Sequence, residues 1–149
     1  MGDAAMIQLD GPTDAAYGFQ LGDELEQNGN VFKYVKAAAG IATGQAVLID
    51  PVTFLVAEAT TALAIHVSQV GVTVFEFAAA DEVGWVQIKG EFQLDCAASL
   101  VARQLLTTTT TPGRLGSGGV LVTGASVVGS TSGVGLASCY AVTSMFVSV

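Results

Sequence analysis

The chain has 149 residues, of which only 12% are charged and 51% apolar. Its mean hydropathy is +0.59. That is one domain's length, enough for a core without disulfide or metal, and the charged share is half the usual figure of about a quarter. A formal net charge of −8 with only five Lys and Arg excludes nucleic acid as the partner, because phosphate binding rests on clustered basic side chains.

From the N-terminus, every charge before Lys33 is acidic (Asp3, Asp10, Asp14, Asp23, Glu24, Glu26). The segment has little periodicity, so residues 1–28 are expected to be an extended acidic arm or loop, and 29–149 the folded domain. Its start lacks the basic residues and apolar core of a secretory signal. Nowhere does a run of about 18 apolar residues escape interruption, so no membrane helix is expected. "QNGN" is a turn signal leading into "NVFKYVKA" (30–37), rich in aromatic and β-branched residues. "GQAVLID" ends at Asp50-Pro51 and "TFLVAEAT" follows, which predicts a hairpin. "VSQVGVTVFEFA" and "GWVQIKGEFQL" are two more strands. "CAASLVARQLL" (96–106) places Ala97, Leu100, Val101 and Leu105 near helical spacing, and reads equally as a loop and a strand. After Arg114 no residue is charged, and the Val, Thr and small residues there suit strands buried on both faces or facing other subunits. The expected fold is therefore all-β, a compact β-barrel or β-sandwich with an extended N-terminal arm and at most one short helix. No internal repeat of the solenoid kind is evident.

Residues able to do chemistry are scarce. His66 is the only histidine, so a metal site would rest on carboxylates and thiols without ligand spacing, and none is expected. Cys96 and Cys139 read as buried free thiols, with a disulfide not inferable from spacing. Neither carries the flanking signature of a nucleophile. "LGSGG" (115–119) lacks the Lys and Ser or Thr of a phosphate loop and predicts a turn. The clustered carboxylates at Asp81-Glu82 and at Asp23, Glu24 and Glu26 are expected to solvate loops.

Trp85, the only tryptophan, alternates with Gln87, Lys89 and Glu91 on the polar side of its strand. Two readings are open. Trp85 is an interface anchor, as tryptophans often are at binding hot spots, or Gly84 bulges the strand and turns the ring into the core or over a barrel end. On the first reading Trp85, Gln87, Lys89 and Glu91, with Phe146 and Val147 of the uncharged tail, form a subunit or partner interface.

Four stretches occur in an order that resembles tailed-phage capsid decoration, or cement, proteins: "GNVFKYVKAAAGIATGQAVLID", "VGVTVFEFAAADEVGWVQIKGEF", "LLTTTTTPGRLGSGG" and the small-residue C-terminal strands. They cover about residues 28–140. The most characteristic are "VGW" (83–85), with Val83 where the pattern has Tyr, and the Thr-rich turn "TTTPGRL" (109–115). The resemblance implies a β-barrel or β-sandwich assembled as trimers or dimers on the capsid exterior, bound to the major capsid protein, without enzymatic activity or cofactor. Two other functions stay in view: a tail, fibre or baseplate component, and a small hydrolase using Cys96 or Cys139 with His66.

Overall fold

A computed structural model describes residues 18–64 and 68–148. They are all-β, as expected, with no helix among them. The strands are β1 (Glu24–Gln27), β2 (Asn30–Ala37), β3 (Ala46–Ile49), β4 (Leu55–Glu58), β5 (Gln69–Thr73), β6 (Val83–Cys96), β7 (Leu105–Thr108), β8 (Leu115–Gly116), β9 (Leu121–Val127) and β10 (Gly135–Ser148). The helical alternative for residues 96–106 is overturned. Cys96 ends β6, Leu105 opens β7, and the left-handed backbone of Ser99 (φ 64°) and Arg103 (φ 64°) between them breaks any helix.

The described part of the expected arm is corrected at its C-terminal end. Glu24–Gln27 form β1, paired antiparallel with β2. Asn28 (φ 54°) and Gly29 (φ 85°) make the intervening turn, the two positive dihedrals that an Asn-Gly hairpin supplies. Leu25 is buried, which ties this hairpin to the domain. Residues 1–17 lie outside the described part.

Pairing closes two rings. β2, β4, β3, β5 and the first half of β6 form one, with the β2–β4 contact parallel and the others antiparallel. The second half of β6 with β8, β7, β9 and β10 forms the other, again with one parallel contact, β6–β8. This is the barrel-like alternative of the two architectures considered. Val35, Val47, Ile49, Val56, Val86 and Ile88 fill the first ring. Leu94, Cys96, Leu106, Leu115, Val127 and Cys139 belong to a larger cluster that also takes in Leu48, Val70 and Val72 from the outer side of the first ring, so the rings pack against each other while each encloses its own core. Each such aliphatic side chain contributes about 1.5–3 kcal/mol on burial.

β6 passes from one ring to the other at Gly90. Lys89 is the last residue paired with β2, and Gly90 the first paired with β10. Its φ is 109°, and a Cβ there would collide with the Asn30 carboxamide oxygen, which accepts the Glu91 N–H at 3.2 Å. Only glycine combines that dihedral with that approach.

The two rings are one design used twice. Ala37 pairs with Val56 as Cys96 pairs with Leu115. Leu48 opposes Ala57 as Thr107 opposes Gly116. Tyr34 opposes Trp85 as Gln93 opposes Ser138, and Lys36 opposes Val83 as Asp95 opposes Leu136. The connections match too. Gly44 donates its N–H to the Thr73 carbonyl at 2.8 Å, and Arg103 to that of Val127 at 2.8 Å. Thr131 donates to Leu100 as Phe77 donates to Ile41. Set side by side on these pairs, "AAAGIATGQAV" (37–47) and "CAASLVARQLL" (96–106) align without a gap. The duplication is not legible in the sequence, because few residue identities are kept between the halves and the spacing changes from β5 and β9 onward.

Candidate functional site

Trp85 sits in a small aromatic cluster on the outside of the first ring. Its ring is 1% exposed, 4.7 Å from Phe19 at 81° and 5.1 Å from Tyr34 at 60° between centroids. Leu25 and Phe32 complete the cluster, with Leu21, Val74 and Val83 packed against it. The register across Gly84 is regular, so no bulge turns the indole inward. Residues 19–25 cover the face on which it lies.

The six expected interface residues divide. Trp85, Gln87 and Val147 are buried within the chain, so for these three the expected position at an interface is corrected. Gln87 is held by its own strand, its Nε2 donating to the carbonyls of Lys89 (3.0 Å) and Glu91 (2.9 Å). Lys89 and Glu91 reach solvent at the start of the second half of β6. Phe146 is 42% exposed and lies apart from them, beside Lys33, Phe54 and Gln69.

The thiols are close, with Sγ atoms 3.6 Å apart, and both are buried. The hydrogen bond shared with Cys96, and then burial, push the Cys139 thiol above its ordinary range. In the first ring the same two positions hold Ala37 and Val86, both fully buried. Each cysteine therefore fills a core position, as small apolar residues do. His66, the proposed partner of a nucleophilic cysteine, lies outside the described residues.

Other polar groups make structure. Asp50 Oδ1 accepts the N–H groups of Val52 (2.8 Å) and Thr53 (2.9 Å), closing the β3–β4 turn. Those donors hold its carboxyl below the usual carboxylate range. Arg114 Nε lies 3.3 Å from Asp95, and Lys33 Nζ lies 3.5 Å from Glu24 and 2.6 Å from the Gln69 carboxamide oxygen. Glu82 Oε1 accepts the Ala78 N–H at 2.9 Å, so this carboxylate closes a turn. Among the described residues no three His, Cys, Asp or Glu side chains are grouped to hold a metal.

What remains is a surface. On the outside of the second ring, Leu105, Ser126, Tyr140 and Glu91 stand directly opposite one another on β7, β9, β10 and β6. Beside them a groove of about 430 Å³ is lined by residues including Glu91, Gln93, Val128 and Ser138. Leu105 is 56% exposed, Val128 49% and Leu136 64%. Sequence reasoning named Glu91 and the uncharged strands after Arg114 but missed Leu105, whose exposure depends on the pairing of β7 with β9. No protein-family model and no curated protein sequence matches the chain.

Proposed function

We propose that the protein is a non-enzymatic virion structural protein of the capsid decoration type, which binds the outer surface of a phage capsid as an oligomer and stabilises contacts between major capsid protein subunits. The observation that carries this reading is the β9–β10 end of the second ring, where exposed Leu136 lines a groove of about 500 Å³ together with the neutral polar Ser130, Thr131, Ser132 and Ser138. Exposed apolar area rimmed by polar groups marks contact with other proteins. The acidic balance of the chain suits a capsid exterior better than a surface facing DNA. Two closed rings packed against each other through Leu48, Val70 and Val72 make a stiff block, so little ordering would accompany docking. A per-site free energy of only about 6–8 kcal/mol, a micromolar contact, suffices when each shell carries many copies.

Co-sedimentation with shells lacking this protein tests the reading. The expected result is saturable binding at near-stoichiometric copy number and shells that resist heat better. Failure to sediment with shells at tens of micromolar protein overturns it, and a few copies per particle would assign the chain to the tail instead.

A further inference from the structure

Internal duplication allows each surface of one ring to be compared with its counterpart in the other. In the first ring the row Ala46, Val72, Gln87 and Phe32 runs across four paired strands. All four are buried, beneath β10 at one end and the Leu25 hairpin at the other. The counterpart row in the second ring is Leu105, Ser126, Tyr140 and Glu91, and here the two ends, Leu105 and Glu91, are exposed, Tyr140 is half-buried and only Ser126 is buried. One chain covers this face once, although it builds it twice.

Two charges at this face sharpen the comparison. A groove of about 390 Å³ is lined by Glu91, Arg103, Val128 and Tyr140. Glu91 and Arg103 are exposed, and neither belongs to an ion pair among the described residues. Arg103 also sits where the first ring has Gly44, with the same left-handed backbone (φ 64° against 78°) and the same 2.8 Å backbone hydrogen bond. Glycine adopts that conformation without penalty. An arginine held there places a long cationic side chain beside the groove at a conformational cost.

We propose that this face is covered by the same face of a second copy of the chain, related by a two-fold axis, with Glu91 of each copy meeting Arg103 of the other. A two-fold contact must be self-complementary. One carboxylate and one guanidinium flanking a half-apolar groove meet that condition, since rotation brings opposite signs together twice, whereas a strongly charged partner would need a face of one sign. Tyr140, half-buried at the centre of the row, is the aromatic type enriched at interface cores. The contact rests on the reading above only in taking the protein to act as an oligomer, and it does not depend on what that oligomer binds.

The test is the mass of the purified full chain by sedimentation and light scattering, with no capsid present, so that its failure is distinct from failure of shell binding. The wild-type chain is expected to be a dimer. E91R and R103E, each of which sets like charges face to face, should each weaken it about tenfold or more, and the double variant E91R/R103E should recover most of that loss. R103G, which installs the glycine of the first ring, should keep the circular dichroism of the fold while weakening the dimer, by less than R103E does. A wild-type monomer at hundreds of micromolar, a trimer, or single reversals that leave the mass unchanged would each overturn the proposal.

Discussion

Ser138 occupies in the second ring the position that Trp85 occupies in the first: each lies on the last strand of its ring, opposite the matching residue of the first strand, Gln93 and Tyr34 respectively. The aromatic pair lies against Phe19, tilted to it at Tyr34 and edge-on at Trp85. The polar pair is joined by a 2.8 Å hydrogen bond from Gln93 Nε2 to Ser138 Oγ and lies at the surface. The same fold position is core on one side of the molecule and wet on the other, according to what the rest of the chain lays over it.

Trp85→Ala is therefore expected to act on stability. Removing a fully buried indole should cost about 3–5 kcal/mol, read as a lower urea midpoint by circular dichroism, with the mass of the still-folded fraction unchanged. A variant of normal stability with altered association would place the ring at an interface instead. As the only tryptophan, Trp85 should also give the native protein blue-shifted emission that a soluble quencher barely reduces.

Gly90→Ala should be costlier than Gly118→Ala. Both glycines have positive φ (109° and 90°), but a Cβ at Gly118 meets nothing within 4 Å, while one at Gly90 strikes the Asn30 side chain. The backbone penalty alone is about 1 kcal/mol, and the collision should add to it at Gly90. Urea denaturation of the two variants compares them directly, and equal costs would mean that Asn30 moves aside freely.

The cysteines should behave as packing residues. Cys96→Ala with Cys139→Val copies the Ala37 and Val86 of the first ring and should change stability by less than about 1.5 kcal/mol, the range of volume-conserving core changes. In the native protein both thiols should react slowly with a thiol reagent at neutral pH, and both rapidly in denaturant. Rapid labelling of either one in the folded state would reopen the nucleophile reading.

Asp50 gives a pH dependence of known sign. Its carboxyl is held below 3.8 by the backbone N–H groups of Thr53 and Val52, so the charged form favours the folded state. The stabilisation is fully present above pH 3.8 and is lost as the pH falls through the lowered folded value. The stability difference between wild type and Asp50→Ala should be constant from neutral pH down to about 5 and shrink below 4. A difference independent of pH would mean that the turn does not depend on the charge.

Much of the local structure was legible in the residues. β-Branched and aromatic runs marked β2, β5 and β6, Asn28-Gly29 made a hairpin turn, Asp50-Pro51 lay between β3 and β4, and the uncharged tail held β9 and β10. These are short-range effects of side-chain shape and preset dihedrals. Alternation also placed Trp85, Gln87 and Glu91 on one side of β6. It did not say which of them would be covered, because a period of two separates the faces of a strand without saying what lies over either.

The sequence by itself determined that the chain is all-β, poor in charge and short of groups for acid–base or metal chemistry, because those properties belong to residues one at a time or to near neighbours. Tertiary structure alone decided that the strands close into two matching rings through Gly90, that Trp85 is core while its counterpart Ser138 is surface, and that Glu91 and Arg103 share a groove. Each of these depends on pairings between distant parts of the chain. Ring closure joins Ala37 to Val56 and Cys96 to Leu115, and it is long-range hydrogen bonding and burial, not local preference, that selects such contacts.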